Sequence, residues 1–160
     1  VDFPPFKNIK WRQIMADREM YNKVETVKCA TVALLAAATQ TGTGVDLQGC
    51  EAATVSFIIG DAGDAWSSTH KFTLSIQESD SADSGFTDVV DADIVGATIA
   101  SGGIVNTLIA VASDETTYDY GYIGSSRYIR TIVVGGGTHS TGTVIGTIVS
   151  RGLPSLASVR

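Results

Sequence analysis

The chain predicts an all-β fold, an antiparallel β-sandwich of Ig-like or jelly-roll type with an N-terminal arm, and three observations predict it. Phe72, Leu74 and Ile76 alternate with Thr73, Ser75 and Gln77, the period-2 pattern of a strand with one buried face. Glycine is frequent at 17 residues and proline rare at 3, with threonine, valine and isoleucine between the glycines, a mixture that suits short strands joined by glycine turns. Apolar runs also recur at fairly regular spacing, as they do in sandwiches. At 160 residues the chain fits one domain able to bury a core without disulfide or metal staples.

Residues 1–25 differ in character from the rest and read as a docking arm. Pro4-Pro5 forces an extended start. Trp11, Ile14, Met15, Arg18 and Tyr21 then fall at helical spacing, so one short helix is a candidate there. The segment is rich in aromatic, Met and Arg residues, a composition closer to protein interfaces than to free surface. Phe3, Phe6, Trp11, Arg12, Ile14, Met15, Arg18 and Tyr21 are therefore the candidate partner-binding residues. The alternative is a segment that packs on its own domain.

The sandwich is expected over 26–152, followed by a short tail at 153–160. Its strands read as Val27–Leu35, Ala53–Ile59, Lys71–Glu78, Phe86–Val90, Ile104–Ala112, Tyr118–Ile123, Arg127–Val134 and Thr143–Val149. Ala30–Ala38 is alanine-rich and could instead be helical. Thr41–Gly44, Gly60–Gly63, Ser101–Gly103 and Gly135–Gly137 supply the turns. Phe57, Phe72, Leu74 and Ile76 are the predicted core.

The formal charge of −6 is unevenly spread. Asp46 to Asp119 holds 13 acids against Lys71 alone, whereas Tyr120 to Arg160 holds four arginines and no acid. An acidic middle argues against nucleic acid or an anionic membrane as the main partner. Basic ends beside an acidic body suit docking on another protein, a neighbouring copy included; plain solubility explains the acids equally well. Cys29–Ala38 is too short to span a bilayer and does not read as a signal peptide, which points to synthesis in a reducing cytoplasm. Cys29 and Cys50 are expected as small buried residues.

No motif carries a reaction. Glu78, Asp80, Asp83, Asp88, Asp91 and Asp93 crowd one region and are the right ligand type for Ca²⁺, but their spacing matches no EF-hand and a solvated acidic turn is the better reading. Cys29, Cys50, His70 and His139 lack paired zinc spacing. Gly124-Ser-Ser-Arg127 is not a nucleophile elbow, and both histidines read as lone surface residues. No cofactor or enzymatic activity is expected. Tyr118, Tyr120 and Tyr122 share one strand face and could stack on a sugar, although packing within the sheet is favoured, with an arginine beside Tyr128 placed to stack on its ring.

Val45-Asp-Leu-Gln-Gly49 with Ala52-Ala-Thr-Val55, Ser75-Ile-Gln-Glu-Ser-Asp80 leading to Phe86-Thr-Asp-Val89, and Tyr122-Ile-Gly-Ser-Ser-Arg-Tyr-Ile-Arg130 follow in an order that resembles small β-sandwich virion proteins of tailed bacteriophages and gene transfer agents. The resemblance covers about residues 41–151 and leaves the arm without a counterpart. It implies a non-enzymatic head accessory protein that decorates or cements the capsid exterior, with the major capsid protein as partner. A carbohydrate-binding or adhesin-like module on a spike or tail is the alternative.

Overall fold

The structure is a computed structural model that describes residues 20–21, 23–36 and 38–154, the side chains of 153 and 154 excepted. Two antiparallel sheets pack face to face. In spatial order the first holds β1 (Val24–Leu35), β11 (Thr143–Pro154), β4 (Cys50–Ala62), β9 (Thr117–Tyr122) and β7 (Ile94–Val95). The second is six-stranded and centred on β10 (Tyr128–Gly136) and β5 (Lys71–Ser79). There β2 (Thr39–Thr41) and β3 (Val45–Asp46) pair in succession along β10, while β6 (Thr87–Asp88) and β8 (Ile104–Leu108) pair along β5.

Side-chain alternation decides which face goes inside. Phe72, Leu74 and Ile76 of β5 point inward toward the face carrying Val55, Phe57 and Ile59 of β4, and the four predicted core residues are all fully buried. A buried phenylalanine of this kind contributes about 2–3 kcal/mol of transfer free energy. Phe57 meets Tyr120 edge-on with centroids 6.1 Å apart, and Trp66 meets Phe72 at 5.8 Å. The core also holds a polar link between the sheets. The Thr131 and Thr147 hydroxyls are 2.7 Å apart, and the Thr131 N–H and hydroxyl both donate to Cys29 Sγ at 3.3 Å. Because these buried groups satisfy one another, a slip of either sheet would strand them.

Several expectations need correction. The strand read at Val27–Leu35 is borne out, and the helical alternative fails over Ala30–Leu35, which belongs to β1. β4 runs on through Gly60 to Ala62, so the expected turn at 60–63 starts only at its end; Gly60 lies against Val144 of the neighbouring β11. Of Phe86–Val90 only Thr87–Asp88 pairs as strand, because Val89 turns into the core and Phe86 serves as a platform for Arg130. Ile104–Ala112 stops at Leu108, and a 3₁₀ turn over Val111–Ser113 follows with Ile109 and Val111 exposed. Cys50 is half-buried where burial was expected, whereas Cys29 is buried. The turn at 101–103 is as expected: Gly102 and Gly103 have φ of 88° and 64°, and a Cβ on Gly103 would stand 2.5 Å from the Ile76 carbonyl. The first strand starts at Val24 and the last ends at Pro154.

Candidate functional site

Of the eight candidate partner-binding residues, Phe3, Phe6, Trp11, Arg12, Ile14, Met15 and Arg18 lie outside the described residues, as does most of the expected short helix. Tyr21 is described. It is 69% exposed, and its neighbour Met20 is 62% exposed. The core cluster draws on neither, and the Met20 carbonyl accepts from the N–H groups of Lys23 and Val24, at 3.0 and 2.9 Å, where the chain enters β1.

That end of the molecule is held by arginines. Arg127 donates to both carboxylate oxygens of Asp46, at 3.0 and 2.7 Å, and this bidentate bond holds the Asp46 carboxyl at about 2, below its ordinary value. Arg151 donates to Glu25 at 2.7 Å and to the Asp46 carbonyl, so β1, β3 and β11 are tied at one corner. The same end carries an open cleft of about 420 Å³, lined among others by Cys50, Glu51, Ala52, Tyr122, Ser125 and Arg127.

Both histidines sit at the opposite end. β5 runs between the ends, from Lys71 paired with Gly136 to Ser79 paired with Tyr128, a separation of about 26 Å at strand rise. Neither imidazole can therefore act as base for Ser125. His139 is not the surface residue expected: it is buried, stacked on Phe72 with centroids 4.6 Å apart, and its Nε2–H donates to the Gly136 carbonyl at 3.0 Å. Sequence reasoning also missed Asp64. Its carboxylate accepts from the Ser140 hydroxyl at 2.5 Å and from the N–H groups of Ser140, Thr141 and Gly142 at 3.1, 2.9 and 2.7 Å. The Ser140 hydroxyl and then these amides hold the carboxyl well below the usual carboxylate range. Asp64 thus clamps the β4–β5 loop to the β10–β11 loop. A partner 76 residues away leaves no local sequence signal.

The acidic segment is occupied with its own fold. Glu78 accepts from the Tyr122 hydroxyl at 2.5 Å, Asp80 from the Arg127 N–H at 3.3 Å and Asp88 from the Gln77 amide at 2.9 Å. Asp91 accepts from the Ile99 N–H at 2.8 Å and Asp93 from the Val90 N–H at 3.3 Å. Among the described residues no three acidic, histidine or cysteine side chains converge as metal ligands would.

The tyrosine face points inward. Tyr120 is 6% and Tyr122 4% exposed, while Tyr118 is half-buried and donates to the Ser113 carbonyl at 3.2 Å. Burial, then the Glu78 carboxylate, raises the Tyr122 hydroxyl above the ordinary tyrosine range; burial also raises Tyr120. Arg127 does lie over the Tyr128 ring, 5.0 Å from its centroid, and Arg130 lies 4.0 Å over Phe86, a pairing the sequence did not suggest.

A scan against protein-family models found no match, and a search of curated proteins found none either. What the chain is shown to be is a small all-β, two-sheet sandwich.

Proposed function

We propose that this chain is a non-enzymatic structural protein of a tailed-phage or phage-like particle, bound to the outside of the head as a decoration or cement protein, with the major capsid protein as its partner. The observation that carries the reading is the relation between body and arm. The sandwich closes its core without Met20 or Tyr21, and these two lead exposed into a segment rich in Trp, Phe, Met and Arg. Buried aromatics and arginines tend to dominate interface energies, so such a segment is suited to anchor a rigid body on another protein. The motif order that resembles phage sandwich proteins supports the same reading. So does the separation of Ser125 from both histidines, which removes that one nucleophile–base pairing.

The sugar-binding alternative is weaker. It needs the tyrosine rings at the surface, and Tyr120 and Tyr122 are spent on the core.

Cementing adds contacts that must also break when capsid subunits separate. Heads that lack the chain should rupture at a lower temperature than complete heads, and adding back the full chain should restore the difference. Adding back a chain without residues 1–19 should not, although that truncation leaves β1 whole. Heads as robust without the chain as with it would sink the cement reading.

A further inference from the structure

The outward face of the five-stranded sheet is almost free of charge in a chain with 17 acids. Lys28, Ile148, Ser56 and Asp119 stand side by side across β1, β11, β4 and β9. They form one row whose two ends carry the only charges on the paired outward positions of this face. The next row, Thr26, Ser150, Thr54, Gly121 and Val95, has none. On the other side Val32, Leu34, Ile58 and Val144 make an exposed apolar patch, with Val32 and Leu34 63% and 61% exposed. Gly146 lies between Val32 and Ile58, and a side chain there would stand 2.7 Å from Val32 Cγ2, so the patch stays low and flat. Asp119 accepts from the Ser56 hydroxyl at 2.5 Å, whereas Lys28 has no partner among the described residues.

We propose that this face seats a second copy of the chain, face to face, about a twofold axis running parallel to the strands between β11 and β4. Such an axis keeps each row in register with itself and exchanges its ends. Lys28 of each copy then lies over Asp119 of the other, and Val32 of each lies beside Ile58 of the other, so the contact is self-complementary as a twofold interface must be. Within one copy Lys28 and Asp119 are three strand spacings apart, about 14 Å, too far to pair. Net charge supports the choice of face. Two copies at −6 each repel, and they meet at least cost on a face where acids are few and Asp119 finds a lysine opposite. Size supports it too. The four strands that overlap, of 12, 12, 13 and 6 residues, give roughly 700 Å² per copy at strand rise and spacing, close to the ~800 Å² per partner of a standard stable interface. The inference concerns the isolated chain and stands or falls independently of the virion reading.

Sedimentation equilibrium of the full chain tests it. The wild type should show a reversible dimer. Leu34→Asp and Ile58→Asp should each weaken it at least tenfold, because each buries a charge against the other copy. Both positions are exposed, so circular dichroism and thermal unfolding at a concentration where the wild type is monomeric should be unchanged. Lys28→Glu alone and Asp119→Lys alone should each weaken association by about tenfold, since two attractive pairs become two repulsive ones. A one-to-one mixture of these two variants should recover near wild-type association, because in the mixed dimer both pairs are again opposite in sign. A chain that remains monomeric well above micromolar concentration overturns the proposal. So does a dimer indifferent to Leu34→Asp and Ile58→Asp, or a mixture no tighter than its components.

Discussion

The acidic segment 78–93 and the outer face of the five-stranded sheet differ in the sequence and differ again, in the opposite sense, in the folded chain. The first is the most conspicuous stretch of charge, yet five of its six carboxylates already accept a hydrogen bond from the chain itself. The second is made of Ser, Thr, Gly and aliphatic residues that attract no notice, yet its apolar patch and Lys28 remain uncommitted among the described residues. Charge density therefore marks internal scaffolding here, and the plain surface is the one with bonding capacity left over. Interfaces obey the same logic, since their centres are depleted of charge.

The comparison can be broken most forcefully at Tyr122. Replacing it with Ala should cost about 4 kcal/mol, as core aromatic truncations do. Tyr122→Phe keeps the ring and removes only the hydroxyl that serves Glu78 and receives the Ser126 N–H, and should cost about 2 kcal/mol. Urea unfolding of the two variants separates packing from carboxylate satisfaction. A silent Tyr122→Phe would mean that Glu78 is merely solvated and the contrast drawn here is false.

A smaller effect is expected in acid. The Asp46 carboxyl is held at about 2 in the folded chain, below its ordinary value near 3.9. A depressed carboxyl contributes stability that is present above its unfolded value and lost as pH falls through the folded one, so the loss falls between about pH 4 and pH 2. Both partners are more than a third exposed, which limits the contribution to about 1 kcal/mol. The stability difference between wild type and Arg127→Gln should be present at pH 6 and vanish toward about pH 2. A difference independent of pH would assign Arg127 a packing role over Tyr128 instead.

The smallest effect belongs to Asp83, the one acid of the segment with no bond among the described residues. Asp83→Ala should change stability by less than about 0.5 kcal/mol, as unpartnered surface sites do. A large loss would reveal a role for the segment that its hydrogen bonds do not explain.

Much of the fold was legible because alternation is local. Phe72, Leu74 and Ile76, like Val55, Phe57 and Ile59, declare their inward face within a few residues, and both sets form the core. β2, β3 and β7 were not legible, since strands of two or three residues carry no period and exist only because β10 and β9 offer edges to pair with. Phe86 and Val89 misled for a related reason. One ring supports Arg130 and one side chain plugs the core, so an apolar run was split between two tasks. His139 was misplaced because nothing in its Gly- and Ser-rich surroundings reports that Phe72 stacks on it. Within the candidate site, the arm's composition was readable, and Tyr21, the one candidate among the described residues, is exposed. The nearly uncharged face could also have been found, by reading only the outward positions of β1, β4, β9 and β11. That reading needs the pairing of strands more than a hundred residues apart, such as Lys28 with Ile148.

The most direct measurement is a density map of the intact particle that contains this chain. The proposed function places the sandwich on the outer surface of the head lattice, with residues 1–19 running from the start of β1 onto the major capsid protein. Density for the sandwich at the tail or on a receptor-facing spike, with the head surface bare, would contradict it.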